Sequence, residues 1–256
     1  MYIINFLTFL YKYIMTTISN EEKVEMMISM FTNEKRKLEI ENIKPYIHLG
    51  IIPDGNRRWC KKNNKDKFEY AAMARNMIQQ LLDDICLKKV YSSFSLVSEL
   101  SIYILSKDNL QRNDNTIDLI RKTLDFCKTL FSLPKYGEMF SLTIHGNCEL
   151  LSPDIQEIIN ESKSFATGTF PIHLAIAYDP LEDSQLFFQE MNNGNPRNQI
   201  DLIIRSGGQY RSSGFFPLQT LYSEWIYLDD LWPDITQEHL DHSIREFLTR
   251  KRNFGK

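Results

Sequence analysis

The chain has 256 residues, of which 43% are hydrophobic and 25% are charged, a composition that favours one soluble globular domain with a sizeable core. The formal net charge of -3 argues against a protein that binds nucleic acid through an extended basic surface. The four cysteines are widely spaced and form no CxxC pair, so they indicate neither a zinc site nor a disulfide framework, and a reducing compartment is expected.

The first 44 residues differ in composition from the rest and are predicted to lie outside the main domain. Residues 1–15 are apolar and aromatic, but they are fewer than the ~20 residues that a helix needs to span a bilayer. They also lack the basic start and the cleavage site of a secretory signal. Two alternatives stay open for them, a segment at a membrane surface or a helix packed on the protein. Residues 20–42 are strongly charged, which is typical of a solvated helix or linker.

Residues 45–256 alternate predicted strands with predicted helices. The strands are predicted at residues 47–52, 100–105, 142–144, 171–178, 201–204 and 225–228. The helices are predicted at residues 67–87, 116–131, from 152 onward, 181–191, 215–222 and 237–251. This alternation predicts a single α/β domain with a mainly parallel six-stranded sheet flanked by helices.

Three of the predicted strands are followed by short polar segments. These read DGNRR at residues 54–58, SKDNLQR at 106–112 and RSGGQYRSS at 205–213. Because ligands bind at the carboxyl ends of strands in open α/β sheets, we expect the three segments to surround one crevice.

The residue types in these segments favour a diphosphate ligand. Arg205, Arg211 and Ser213 supply two guanidinium groups and a hydroxyl that could converge on one cluster of anionic oxygens. Asp54 precedes a pair of arginines, and a carboxylate beside a polyanion usually has a divalent cation between them. The pattern therefore predicts a local diphosphate site that contains Mg²⁺.

Three longer strings carry a resemblance to a known family. HLGIIPDGNRRW at 48–59, YILSKDNLQR at 103–112 and the string from Asp201 to Asp234 resemble the cis-prenyltransferases, which include the undecaprenyl and dehydrodolichyl diphosphate synthases. The resemblance covers roughly residues 45–255 and implies a catalytic domain of that fold at 45–256. It also implies Mg²⁺-dependent condensation of isopentenyl diphosphate onto farnesyl or geranylgeranyl diphosphate, in a homodimer or a heterodimer with a related subunit.

The resemblance also implies a role for each matching residue. Asp54 matches the essential aspartate, and Glu224 matches a glutamate that completes its Mg²⁺ site. The positions on the allylic diphosphate side match Gly55, Asn56, Arg57, Arg58, Trp59 and Lys67. The isopentenyl diphosphate side matches Arg205, Arg211 and Ser213. The third motif matches Ser106, Asp108, Asn109 and Arg112, with Asn109 implicated in handling the proton that the condensation releases.

Several positions depart from the family pattern. Ala71 stands in place of a histidine, Lys67 in place of an arginine and Leu110 in place of an aromatic residue. Residues 177–181 read AYDPL where an asparagine and Tyr-Gly-Gly-Arg are expected, and 253–255 read NFG in place of Arg-x-Gly. Two alternatives therefore stay open: a weakly active or non-catalytic subunit of a heteromeric enzyme, and a synthase of short or branched terpenoid diphosphates.

The choice among branches of the family rests on two features. The doubled arginine at 57–58 and the apolar N-terminus resemble the eukaryotic dehydrodolichyl diphosphate synthases more than the bacterial enzymes. That branch implies a role in making dolichol, at the cytoplasmic face of the endoplasmic reticulum or in the cytosol. A long product also needs an apolar tunnel, for which Ile117, Ile120, Leu124, Cys127 and Phe131 recur at helical spacing, although such a stripe more often marks core.

Overall fold

The computed structural model describes residues 46–87, 93–111, 116–194 and 196–251. Its strands are β1 (Ile47–Ile52), β2 (Val97–Tyr103), β3 (Phe140–His145), β4 (Phe170–Ala175), β5 (Leu202–Arg205) and β6 (Glu224–Tyr227). The α-helices in these ranges are α1 (Asn56–Asn63), α2 (Lys67–Leu87), α3 (Thr116–Phe131), α4 (Pro134–Gly137), α5 (Pro153–Phe165), α6 (Pro180–Asn192) and α7 (Gln237–Thr249). Short 3₁₀ turns span Ser93–Leu96, Lys107–Gln111, Cys148–Leu150 and Trp232–Asp234.

The six strands form one parallel sheet in the order β3-β4-β2-β1-β5-β6. The predicted α/β class is thereby confirmed. The register pairs Ile52 with Arg205, so β1 and β5 end side by side at the same edge of the sheet. The loops that follow β1 and β5 are therefore neighbours, although more than 150 residues of chain separate them.

Both faces of the sheet are covered, which is why its central strands are mostly buried and mostly apolar. All six residues of β1 are buried. Along β5, Leu202 and Ile204 pack into a large cluster with α2, α3, α5 and α7. Ile203 points the opposite way, into a smaller cluster with Phe215 and Phe216. We call the side of the large cluster the first face and the other side the second face.

One predicted helix was wrong, and one helix beside the cavity was not predicted. Residues 215–222 form consecutive turns rather than an α-helix. Phe216 has a φ of 41°, outside the right-handed helical region, and both phenylalanines are buried beneath the sheet, so tertiary packing overrides the local helical pattern. Residues 56–63, for which no helix was predicted, form helix α1, which begins directly after Gly55 at a φ of 101°.

Some of the predicted features lie outside the described residues. These are the apolar segment 1–15, the charged segment up to residue 42, Arg112 and the string at 253–255. The backbone of Lys67 and Ala71 is described as part of α2, whereas their side chains are not. Within the described ranges, no helix has both the length and the apolar composition required to cross a bilayer.

A chain of polar side chains crosses the second face beneath the loops that follow the strands. Arg197 Nη1 lies 3.0 Å from His145 Nδ1, and His145 Nε2 lies 2.9 Å from His173 Nδ1. His173 Nε2 in turn lies 2.9 Å from Glu99 Oε1, and His48 Nδ1 lies 3.4 Å from the same oxygen. Because the Arg197 guanidinium can only donate hydrogen bonds, His145 Nδ1 must accept, and the hydrogen of His145 lies on Nε2. His145 Nε2 then donates to His173 Nδ1, so the hydrogen of His173 also lies on Nε2.

Burial keeps two of these histidines neutral. It lowers the pKa of His48 to about 4 even though Glu99 lies beside the ring, and it lowers the pKa of His145 to about 3, with a further contribution from the charge of Arg197. Burial alone would raise the pKa of Glu99, but the contact with His173, the neighbouring imidazole of His48 and the hydrogen bond from Asn198 lower the pKa overall. Glu99 is therefore the negatively charged residue at the end of this series of polar side chains.

These shifts predict a specific sensitivity to acid. At pH 7 the rings of His48 and His145 are neutral in the folded chain and mostly neutral in the unfolded chain. As the pH falls below about 6.5 the unfolded chain binds protons that the folded chain excludes, so the free energy of unfolding falls until about pH 4. The expected loss is about 3 kcal/mol for His48 alone, measured by urea unfolding between pH 7 and pH 4.

Two variants isolate this effect from general acid unfolding. His48→Gln should flatten the dependence of the unfolding free energy on pH because the titrating ring is gone. His242→Gln, which removes an exposed histidine on α7, should leave the wild-type dependence in place. Equal slopes for wild type and His48→Gln would show that His48 does not titrate as described.

Candidate active site

A cavity of about 900 Å³ opens at the carboxyl ends of β1, β2 and β5. All three polar segments that follow these strands contribute to its wall, so the expectation of a single crevice is confirmed. The predicted site residues that line it are Asp54, Gly55, Asn56, Arg57, Arg58, Ser106, Asp108, Asn109, Arg205, Arg211 and Ser213.

The centre of the cavity wall is an ion pair between Asp54 and Arg205. Arg205 Nη2 donates to Asp54 Oδ2 over 2.9 Å. The backbone N–H of Gly55 donates to the other carboxylate oxygen over 2.6 Å. Burial alone would raise the pKa of Asp54, but the bonds from Arg205 and Gly55 and the charges of Arg205 and Arg58 lower it. Asp54 is therefore an anion held toward the cavity, with 31% of its side chain exposed.

Arg205 is the most buried cation of the cavity, with only 3% of its side chain exposed. Its Nη1 donates to Ser213 Oγ over 2.8 Å and also to the carbonyl oxygen of Arg211. Among the described residues its Nε has no hydrogen-bond partner, although the atom is buried. The guanidinium therefore links the loop after β1 to the loop after β5.

Two glycines allow these loops to approach each other. Gly207 has a φ of 88°, and a Cβ there would lie 2.7 Å from Arg58 Nη2 and 3.0 Å from the backbone of Asp54. A Cβ on Gly55 would lie 2.8 Å from Leu231. Any larger residue would push the arginine-bearing loops apart, so both positions require glycine for steric as well as conformational reasons.

The segment after β2 forms a third wall through a 3₁₀ turn at Lys107–Gln111. The turn is closed by a bond from the Asn109 N–H to the Ser106 carbonyl over 3.1 Å. Lys107 forms ion pairs with Asp179 and Glu182 at the start of α6. Asp179 also caps α6 through bonds from the N–H groups of residues 181 and 182, so the altered string AYDPL begins a helix at the rim of the cavity.

Two residues that the motifs placed in the site lie elsewhere. Glu224 is at the start of β6 and is paired in register with Leu202, three residues before Arg205, which puts it about 10 Å along the strands from the cavity edge. Its carboxylate instead pairs with Arg250 Nη1 at 3.0 Å. Trp59 is buried, and its Nε1 donates to Asp234 Oδ1 over 2.6 Å, so it anchors α1 to the turn at 232–234. Within the described chain neither residue lines the cavity.

The expected apolar tunnel is present only as a closed cleft. Leu124, Cys127 and Phe131 border a cavity of about 20 Å³ between α2, α3 and the first face of the sheet. Ile120 lines the large cavity instead, and Ile117 packs against the core. Ile104 borders both spaces, so the apolar cleft lies next to the polar site, and it holds little more than one water molecule in this conformation.

The donor set fits a magnesium ion that is shared with a ligand. In the part of the chain that the structure describes, no three His, Cys, Asp or Glu side chains are grouped to hold a metal. Mg²⁺ is usually bound by one or two carboxylates together with substrate phosphates. Asp54 supplies one such carboxylate at the cavity wall, so the remaining ligands would have to come from a diphosphate and water.

A family model and individual relatives that are similar in sequence to this chain belong to the same class of protein. A family model described as "Putative undecaprenyl diphosphate synthase" matches residues 52–183 and 179–255. The chain is 29% identical over 225 residues to a tritrans,polycis-undecaprenyl-diphosphate synthase (geranylgeranyl-diphosphate specific) of Aeropyrum pernix, covering 81% of this chain and 97% of that protein. It is 26% identical over 235 residues to a ditrans,polycis-undecaprenyl-diphosphate synthase ((2E,6E)-farnesyl-diphosphate specific) of Acinetobacter baylyi, covering 82% and 91%.

Solved structures share the fold. Lavandulyl diphosphate synthase from Lavandula x intermedia superposes with a TM-score of 0.66 at 22% identity, covering 82% of this chain and 98% of that one. A probable undecaprenyl diphosphate synthase from Campylobacter jejuni gives 0.64 at 22% identity, covering 84% and 100%. The parallel six-stranded architecture is thus that of known prenyl diphosphate synthases.

The position of Asp54 predicts that its carboxylate changes role when metal is added. In EDTA, Asp54→Asn should bind inorganic diphosphate about three- to tenfold more tightly than wild type, because it removes a negative charge and frees Arg205. In the presence of Mg²⁺ the order should reverse, because only wild type has a carboxylate to share the ion. Isothermal titration calorimetry measures both affinities.

The control for this experiment is Asp118→Asn, which removes an exposed carboxylate paired with Arg121 outside the cavity. It should match wild type with and without metal. If Asp54→Asn bound diphosphate more weakly than wild type in EDTA, the carboxylate would not face the anion.

Proposed function

The chain belongs to the undecaprenyl diphosphate synthase family, and from that premise we propose that it is a cis-prenyltransferase that condenses isopentenyl diphosphate with an allylic diphosphate. The observation that carries the proposal is the Asp54–Arg205 ion pair, which joins two groups of cationic side chains in one cavity. One group follows β1 and the other follows β5, so two diphosphates could bind on either side of the pair.

The allylic diphosphate is assigned to the side of Arg57 and Arg58. There its carbon–oxygen bond breaks, and the departing diphosphate takes the electron pair and gains negative charge. Arg57, Arg58 and Lys61 line that part of the cavity, and preorganised cations stabilise the charge where it develops. Mg²⁺ held by Asp54 and the diphosphate would supply further neutralisation of the leaving group.

Isopentenyl diphosphate is assigned to Arg205, Arg211 and Ser213. These residues hold its diphosphate so that the double bond faces the allylic carbon, and their contribution is orientation rather than bond breaking. The new carbon–carbon bond forms between the double bond and the allylic carbon, and a proton leaves the isopentenyl unit. Asn109 and Ser106 follow β2, which lies on the other side of β1 from β5, and they line the same cavity and are assigned to this proton transfer.

The finer proposal is a dehydrodolichyl diphosphate synthase that serves dolichol synthesis. Its support is the doubled arginine at 57–58 and the apolar segment 1–15. The relatives named above are undecaprenyl diphosphate synthases specific for geranylgeranyl or farnesyl diphosphate, which supports one of these two primers. Attachment to the endoplasmic reticulum surface rests on residues 1–15 and stays a prediction that cosedimentation with phospholipid vesicles tests.

The central test is incorporation of labelled isopentenyl diphosphate into extractable lipid by the purified chain. We expect product with farnesyl or geranylgeranyl diphosphate and Mg²⁺, and none in EDTA. Asp54→Ala should lower the rate by at least about a hundredfold, because the charge of the leaving group is no longer compensated. Chromatography of the product lipids gives their chain length.

The possible outcomes separate the alternatives. A short or branched product would show that the protein is a synthase of short or branched terpenoid diphosphates and not a dehydrodolichyl diphosphate synthase. Product that forms only when a related subunit is added would identify this chain as one part of a heteromeric enzyme. Absence of product under both conditions would overturn the proposed activity.

Assembly into a homodimer is proposed on the basis of one exposed surface. Helix α6 buries Asp183 and Phe187, whereas Leu181, Phe188 and Met191 on its flank are at least half exposed. Phe188 and Met191 also border an open groove of about 850 Å³ on the second face. Contiguous exposed apolar surface of this kind is typical of protein interfaces, so a second copy of the chain is assigned to it.

Phe188→Glu should therefore convert the assembled protein to a monomer, because a buried charge at the contact is costly. Sedimentation equilibrium measures the mass. Leu133→Glu is the matched control, since Leu133 is 49% exposed but belongs to another surface, and it should leave the mass unchanged. A wild-type protein that sediments as a monomer would contradict the homodimer.

A further inference from the structure

The turn at residues 213–216 bears directly on the cavity and has an unusual backbone. Ser213, Gly214 and Phe216 have φ values of 51°, 72° and 41°, in the left-handed region. Such conformations cost free energy for residues other than glycine and persist only where the surrounding structure imposes them. Ser213 also carries the hydroxyl that accepts a hydrogen bond from Arg205. The contacts that hold this turn therefore determine the position of Ser213 and of the Arg205 guanidinium that donates to it.

One of these contacts is made by the hydroxyl of Tyr178. The backbone N–H of Phe216 donates to Tyr178 Oη over 3.0 Å. The ring of Tyr178 packs edge-on against Phe216 with centroids 5.2 Å apart. A Cβ on Gly214 would lie 2.9 Å from Pro180, so the start of α6 supports the turn from the same side.

The hydroxyl of Tyr178 has only one available orientation. It donates to Asp183 Oδ2 over 2.9 Å, and Asp183 Oδ1 accepts from Arg197 Nη1 over 2.7 Å. Tyr178 and Asp183 are 1% and 3% exposed. Since Arg197 is also held by Glu190 and by the chain of histidines that ends at Glu99, the acceptor for the Tyr178 proton is fixed. The oxygen of Tyr178 is then left to accept the Phe216 N–H.

We propose that Tyr178 is a positioning residue for isopentenyl diphosphate: its hydroxyl holds the turn at 213–216 so that Ser213 and Arg205 are aligned to receive the diphosphate. This inference rests on the proposed function for the identity of the ligand. Tyr178 acts through the turn and not by contact with the reacting atoms, because both of its hydrogen bonds are made to buried protein groups.

The hydrogen-bond partners of Tyr178 support a selective effect. Tyr178 follows β4, and among the described residues its hydroxyl bonds to Phe216 in the turn after β5 and to Asp183 in α6, and not to the loop after β1. Loss of the hydroxyl would release the Phe216 N–H and loosen Ser213, while the loop after β1 keeps its own bonds between Asp54 and Ser206. Loss of the hydroxyl should therefore weaken the binding of isopentenyl diphosphate and leave the binding of the allylic diphosphate unchanged.

The test is Tyr178→Phe, which removes only the hydroxyl. The KM for isopentenyl diphosphate should rise about tenfold, equivalent to ~1.4 kcal/mol of binding. The KM for the allylic diphosphate and kcat should stay within about twofold of wild type. Calorimetric titration with inorganic diphosphate should show weaker binding without any need for turnover, so the positioning role can be judged even if the wild type proves inactive in prenyl transfer.

A matched control separates positioning from stability. Tyr136 is also buried, at 3% exposure, and its hydroxyl donates to Asp83 Oδ1 over 2.7 Å in a part of the protein remote from the cavity. Tyr136→Phe should lower the melting temperature about as much as Tyr178→Phe and leave both KM values unchanged. Equal KM effects in the two variants, or equal effects of Tyr178→Phe on both substrates, would overturn the proposal.

Two further variants complete the design. Ser213→Ala should itself raise the KM for isopentenyl diphosphate, and adding Tyr178→Phe to it should cause little further change, because both act on the same contact. Additive effects would mean that Tyr178 does not act through Ser213. If Tyr178→Phe does not fold, Asp183→Asn retains the tyrosine but weakens its anchor and should raise the same KM to a smaller extent. An unchanged KM in a folded Asp183→Asn would contradict the role.

Discussion

The cavity depends on a single ion pair, in which Arg205 Nη2 contacts Asp54 Oδ2 over 2.9 Å. The pair exists because β1 and β5 are hydrogen-bonded neighbours that end in register at Ile52 and Arg205. A buried guanidinium is costly unless its charge is compensated, so the fold fixes the two loops relative to each other before any ligand arrives. A diphosphate that displaces Asp54 from Arg205 would need a cation to compensate the released carboxylate, and this couples anion binding to metal binding.

Local sequence patterns predicted the parts of the site that depend on one strand and the residues after it. An apolar run followed by polar residues identifies a strand end, and parallel strands bring such ends together, so the segments after β1, β2 and β5 could be placed in one cavity. The helix predicted at 215–222 was wrong because Phe216 is held by Tyr178, 38 residues earlier in the chain. No local pattern contains that contact, and the left-handed φ it imposes cannot be read from propensity.

Two residues that belong to the sequence motifs, Glu224 and Trp59, lie outside the cavity for geometric reasons. Glu224 belongs to the same string as Arg205, but the two lie at opposite ends of neighbouring parallel strands. Since a strand rises about 3.3 Å per residue, three residues of register are enough to separate a side chain from a site. Trp59 is displaced for another reason: helix α1 turns it inward, toward Asp234, while Arg57 and Arg58 on the same helix line the cavity.

Residues 177–181, which depart from the family pattern, make contacts at the rim of the cavity. Asp179 caps α6, Pro180 packs against Gly214, and Lys107 is neutralised by Asp179 and Glu182.

The cavity wall as a whole carries six cationic side chains, Arg57, Arg58, Lys61, Lys107, Arg205 and Arg211, against three carboxylates, Asp54, Asp108 and Asp179. Two prenyl diphosphates of about -3 each would exceed that surplus, so the proposed Mg²⁺ would add positive charge to the complex as well as assist departure of the leaving group.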